Sequence, residues 1–169
     1  DYNSYNVLYL VSLYSNKLQE ARRYLKELNN IFGINHASVS RDIELSFYEG
    51  DFNRINHLCD SLVSAGEKLA AADLSYNSMA YFALNERETS DKLIHTLTGA
   101  ENAKNRDTNY YTARAFAFRN QVDSCFSHLF KVDRMGMGLN HLKVDPVFKD
   151  IRSDSRYVQI LNDRGFDRY

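Results

Sequence analysis

Apolar residues in this chain recur at helical spacing, in pairs of short stripes. Between residues 111 and 132 two amphipathic helices meet at Arg119-Asn120. Ala113 lies midway along the first, and Cys125, Leu129 and Val132 lie at i, i+4 and i+7 on the second. Small side chains at mid-helix let antiparallel helices approach closely, and larger ones fill the seam. The same arrangement is predicted three times upstream. Helices over 5–14 and 17–31 flank a turn at Ser15-Asn16, with Leu18, Ala21, Leu25 and Leu28 on one stripe. Helices over 38–48 and 52–63 flank Glu49-Gly50-Asp51, and helices over 67–84 and 88–97 flank Asn85-Glu86, with an extension through Ala100–Lys104 also compatible with the pattern. Gly33, Gly66 and Gly99 are predicted stops. Thr108 is a reasonable N-cap for the fourth pair.

These stripes share one period. Ala21, Ile55, Ser90 and Cys125 are separated by 34, 35 and 35 residues. So are Leu25, Cys59, Ile94 and Leu129, then Leu28, Leu62, Leu97 and Val132, and on the first helices Tyr9, Ile43, Ser78 and Ala113. After Met135-Gly136-Met137-Gly138 the pattern breaks into short turns. Asp145-Pro146 reads as a helix opening, an N-cap followed by Pro at N1. A last helix is predicted from Ser153-Asp154 to Asp163, striped by Tyr157, Ile160 and Leu161, with Gly165 ending it.

Composition narrows the function more than the fold. The 169 residues suffice for one domain or one repeat array. Net charge is −1, from 21 basic and 22 acidic residues, and no Lys/Arg run exceeds Arg22-Arg23. Such a balance offers no field for a nucleic-acid backbone, so no direct nucleic-acid binding is expected. No apolar run approaches the ~18 residues of a membrane span, and no membrane contact is expected. The chain does not begin with Met and is expected to be a piece of a longer protein. Cys59 and Cys125 fall on core faces and are expected to be buried and reduced, a slight lean toward the cytoplasm.

Helix pairs at this interval resemble the tetratricopeptide repeat (TPR). Leu8, Tyr9, Ser12, Ala21, Leu25 and Leu28 match in the first copy; Leu74, Ser78, Tyr81, Ser90, Ile94 and Leu97 in the third; Ala113, Phe116, Cys125, Leu129 and Val132 in the fourth. The glycine usual in the first helix is absent, the turn glycine survives only as Gly50, and no copy ends in proline. The string from His141 through Asp145-Pro146-Val147-Phe148 to Leu161 is similar to the closing segment of many bacterial TPR proteins, with Ser155 where proline is usual. The resemblance implies an all-α, right-handed α-solenoid of four hairpins, at about 4–34, 37–66, 67–104 and 107–136, with a C-terminal cap over 137–169. It further implies the C-terminal sensory or oligomerisation domain of a bacterial, transcriptional regulator. A cytoplasmic setting is expected, with a periplasmic domain of a membrane-bound regulator as the alternative.

In such arrays the first helices line a concave groove that binds a peptide or protein partner. By register that groove would be lined by Asn6, Leu10, Ser40, Glu44, Phe47, Ser75, Met79, Phe82, Tyr110, Arg114 and Ala117. Packing between repeats is the competing reading for the aromatic members. Chaperone-binding members use a basic and asparagine clamp for a terminal carboxylate; Asn6 and Arg114 are present here, but the lysine set is not. Tyr2, Tyr5, Leu8, Tyr9 and Val11 make the first helix apolar around much of its surface. Tyr2, Tyr5 and Tyr9 are accordingly expected to form a face for self-association, and a homodimer is one outcome.

Catalysis finds no support in the motifs. There is no CxxC, HExxH, GxSxG or Gly-rich phosphate loop. His57 and Cys59 at i and i+2 point to different sides of a helix. His36, His57, His95, His128 and His141 are scattered, without acids at ligand spacing. No catalytic residue, metal or cofactor is therefore expected. An all-helical enzyme or small-molecule binder with an internal polar site remains the alternative.

Overall fold

The computed structural model of the chain describes residues 2–99, 107–132 and 141–163. Every regular element among them is helical. The order is α1 (Tyr2–Tyr14), α2 (Leu18–Phe32), α3 (His36–Glu49), α4 (Phe52–Ser64), α5 (Ala71–Ala83), α6 (Arg87–Thr98), α7 (Thr108–Phe118) and α8 (Val122–Leu129), then a 3₁₀ helix (Pro146–Ile151) and α9 (Ser155–Asp163). Each of α1 to α8 packs on its neighbour in sequence, and α5 also lies against both α3 and α7.

One turn joins the helices of every pair. Asn16, Gly50, Asn85 and Asn120 all have positive φ, at 59°, 76°, 69° and 57°. They step by the same 34, 35 and 35 residues as the core positions. At each, the left-handed residue donates its N–H to the carbonyl three residues back (Leu13, Phe47, Phe82, Ala117), at 2.9–3.1 Å. The following residue donates to a carbonyl five residues back (Ser12, Ser46, Tyr81, Phe116), at 2.8–2.9 Å. This is the Schellman pattern, which satisfies the last carbonyls of the helix. Asparagine is the residue that best tolerates this conformation after glycine, so the three turns with asparagine have the same geometry as the one with Gly50.

All the periodic positions are buried: Tyr9, Ile43, Ser78 and Ala113 on the first helices, and the Ala21, Leu25 and Leu28 registers on the second. Ile43 and Ile55 pack in one cluster with Cys59, Met79 and Ala80. In the third pair, Ser90 Oγ–H donates to the Ser78 carbonyl at 2.7 Å, replacing an apolar contact by a satisfied polar one. The clusters are shared between pairs. Leu45 of α3 belongs to the core of α1 and α2, and Ala115 of α7 to the core of α3 to α5.

Several boundaries differ from the sequence reading: α1 begins at Tyr2 rather than Tyr5 and α3 at His36 rather than Ser38. The third pair begins at Ala71, not Glu67, because Gly66 turns the chain at φ 81° and Ala70 is extended. The Asp73 carboxylate accepts the Ala70 N–H at 3.1 Å and fixes that start. α8 stops at Leu129, although Val132 beyond it stays buried. The Asp145-Pro146 opening leads into a 3₁₀ helix, with Asp145 Oδ1 accepting the Val147 N–H at 3.0 Å. α9 opens at Ser155, since Asp154 Oδ1 takes the Arg156 N–H at 2.9 Å. The extension through Ala100–Lys104, the Met135–Gly138 run and Gly165 lie outside the described residues.

Candidate ligand groove and its buried polar support

The first helices of successive pairs enclose a groove of about 400 Å³, lined by Asn6 and Leu10 of α1, Ser40, Arg41 and Glu44 of α3, and Asp73, Tyr76 and Tyr111 of α5 and α7. Ala37, Ala70 and Ala72 complete its wall. Small residues on a wall let a ligand backbone come close. Several polar groups are held in place. Arg41 Nε donates to Asn6 Oδ1 at 2.8 Å, and Tyr9 O–H donates to the Arg41 carbonyl at 2.8 Å. Tyr76 and Tyr14 both donate to Glu44 Oε1, at 3.0 and 3.3 Å. His36 lies 3.2 Å from Asp73 Oδ2 and 3.4 Å from Glu67 Oε2. Burial opposes its protonation, but these two carboxylates outweigh burial and raise its pKa.

Behind this groove lies a second, smaller cavity of about 100 Å³. It is lined by Tyr14, Tyr48, Tyr110, Tyr111, Glu44, Asp107, Arg114, His141 and Asp145. Arg114 is 2 % exposed, and its Nε stands 2.7 Å from Asp145 Oδ2, also buried. Tyr110 O–H donates to the same oxygen at 2.9 Å. The guanidinium lies 4.5 Å from the centre of the Tyr76 ring, a cation–π contact in a desolvated setting. The tyrosines stay protonated donors: burial, aided by nearby carboxylates, pushes Tyr14, Tyr76 and Tyr110 above their ordinary range and Tyr111 to about 12.

The sequence-derived lining divides by position along the array. Asn6, Leu10, Ser40 and Glu44, from the first two pairs, line the groove. Their equivalents in the last two pairs, Ser75, Met79, Tyr110 and Arg114, are buried. For Tyr110 and Arg114 the cause is the C-terminal segment, which folds over α7: the Phe148 ring centre stands 5.6 Å from that of Tyr110, and Asp145 pairs with Arg114, while Ser75 Oγ–H donates to the Tyr111 carbonyl at 2.8 Å. Met79 is a core residue of the α3–α5 cluster. Phe47 and Phe82 pack between pairs, their rings 5.5 and 6.3 Å from Phe118, so for them packing is the better description. Tyr9 is fully buried against α2 and α3, and Tyr2 and Tyr5 lean on the same cluster. The residues that α1 exposes are instead Val7, Leu8 and Val11.

Asp145 was legible only as a helix cap, and Tyr14, Tyr76, Asp73 and Arg41 carried no sequence signal of a shared site. A signal did exist in the register: Leu10, Glu44, Met79 and Arg114 occupy one repeat position, and two charges there require partners inside the array.

Glu44 gives the groove a pH dependence. Burial of its carboxylate raises its pKa, and the nearby Arg114 opposes the shift only in part. The folded chain therefore holds a proton that the unfolded chain has released, above about pH 4.3. Stability from this group is fully present below that pH and is lost as pH rises through the raised value. Thermal unfolding followed from pH 4 to pH 8 should show a decline for the natural chain that is shallower in Glu44→Gln. Equal slopes would contradict the assignment.

Both thiols are inert. Cys59 and Cys125 are fully buried, and burial raises both pKa values, Cys125 to about 12. Among the described residues no three His, Cys, Asp or Glu side chains are grouped to hold a metal ion, and no helix is long and apolar enough to cross a membrane. Compared with protein-family models, curated proteins and solved structures, the chain gives no match.

Proposed function

We propose that this chain is a TPR-like α-solenoid that binds an extended segment of a protein partner, one carrying a lysine or arginine side chain. The observation that supports this most is the groove of Asn6, Leu10, Ser40, Glu44, Asp73 and Tyr76. Its ~400 Å³ lies in the range of pre-formed ligand sites. Its polar groups are already oriented by Tyr14, Tyr76, Arg41 and His36. Pre-orientation lowers the ordering cost of binding. The lining carries two carboxylates, Glu44 and Asp73, against one guanidinium, Arg41, which favours a cationic group in the ligand. A cation beside Glu44 would draw its proton off, so affinity should rise with pH over the range in which Glu44 titrates.

The closing string supports a place for this unit at the C-terminal side of a larger bacterial regulator, as a sensory or oligomerisation domain. The internal cavity supports the second reading, a small-molecule binder. At about 100 Å³ it is well below the ~300 Å³ from which ligand pockets usually begin, and Arg114 is already matched by Asp145.

The test is direct. Peptides selected on the chain from a random library should be enriched in Lys or Arg. Ser40→Trp, which fills the groove from a half-buried position, should weaken their binding at least about tenfold in fluorescence anisotropy, with unfolding temperature preserved. Unchanged affinity would place the ligand elsewhere.

A further inference from the structure

We propose that the outer face of α1 is a homodimer interface, in which Val7, Leu8 and Val11 pack against the same residues of a second copy. Val7, Leu8 and Val11 are 55 %, 43 % and 59 % exposed, three large apolar residues on one stretch of helix. The repeat register shows what kind of surface this is. Val11 occupies the position of Leu45, Ala80 and Ala115, at the same 34- and 35-residue steps, and all three of those are fully buried. They are covered by the preceding pair: Leu45 packs in the core of α1 and α2, and Ala115 in the core of α3 to α5. The outer face of α1 is therefore the continuation of the interface that joins each pair to the one before it. Its natural cover is another helix surface of the same kind.

A second copy fits this face for an electrostatic reason. The helix sequence Tyr-Asn-Ser-Tyr-Asn-Val-Leu-Tyr-Leu-Val-Ser-Leu-Tyr contains no charged residue. An isologous contact brings every group near its own image, so any net charge on the patch would repel itself. The neutral Asn3 and Ser4 flank Val7 and Leu8 in a shallow hollow that a facing side chain can enter. The exposed valines of α4 and α9 do not share these properties. Val63 is followed in α4 by its terminal Ser64, and Val158 stands on α9 beside exposed Gln159, each next to charged neighbours such as Asp60 and Arg156.

The experiment is sedimentation equilibrium of the chain across a wide concentration range, with Val11→Glu and Val7→Glu as variants and Val63→Glu as the control. The natural chain and Val63→Glu should form a concentration-dependent dimer. Each α1 variant should weaken association at least about a hundredfold, since a charge placed in a self-facing patch meets its own image. Circular dichroism and unfolding temperature should stay unchanged, because both residues are exposed. A natural chain that is monomeric at all concentrations would overturn the proposal. So would a dimer that persists in both α1 variants.

Discussion

Asp145→Ala is expected to lower the unfolding free energy by about 3–5 kcal/mol, the usual effect of removing one member of a buried ion pair. Asp145 accepts the Val147 N–H on one oxygen and the Tyr110 O–H on the other, and that second oxygen stands 2.7 Å from Arg114 Nε in an ion pair. Without it, Arg114 is left as a buried cation in a cavity that Glu44 also lines. Glu44 should then ionise more readily, and the pH dependence of stability should diminish along with stability itself. Asp145→Asn separates the two roles. It keeps one oxygen to accept the Val147 N–H but removes the charge and puts an amide NH2 where Tyr110 and Arg114 meet the carboxylate, so its effect reads those two contacts apart from the cap. Denaturant unfolding measures both variants. An Asp145→Ala effect below about 1 kcal/mol would mean that water reaches the guanidinium and the pair is not truly buried.

Phe148→Ala is expected to cost a similar amount, about 3–5 kcal/mol, by opening a cavity in the cluster that holds the C-terminal segment to α7 and α8. Phe148 is fully buried and packs on Tyr110, near Leu142, Ile151, Tyr157 and Ile160. In a chain of this length such a loss should lower the unfolding temperature on the order of 10 °C. Both changes release the same segment from the same helix. The double variant should accordingly lose less than the sum of the two, whereas strict additivity would show that the segment is attached through independent contacts.

The periodic part of the structure was legible because it rests on local physics. Ala21, Ser90 and Cys125 mark close helix approaches, and the residues four and seven positions further on fill the seams. Even the turns follow, once asparagine is accepted in the left-handed position at 16, 85 and 120. The groove was half legible. Asn6, Leu10, Ser40 and Glu44 line the groove. Tyr110, Arg114 and Met79 share their register, yet they are enclosed by long-range packing that a repeat pattern does not encode. The cap that takes Arg114 departs from the period, so its partner choice, Asp145 with Arg114, had no sequence signature beyond two opposite charges 31 residues apart. Tyr9 misled for a related reason. An aromatic residue on an apolar helix suits a surface patch as well as a core, and the register it shares with Ile43, Ser78 and Ala113 was the signal that holds.

A partner seated in the groove should perturb the groove lining and leave the outer helices unmoved. The most direct measurement is a set of amide chemical-shift changes as a selected Lys- or Arg-bearing peptide is titrated into the chain. Binding in the groove predicts the largest changes at Leu10, Ser40, Arg41, Glu44, Asp73 and Tyr76, with little at the exposed outer positions Arg23, Lys26 and Asp60 of α2 and α4. Changes centred on those outer positions, with the groove residues unmoved, would contradict it.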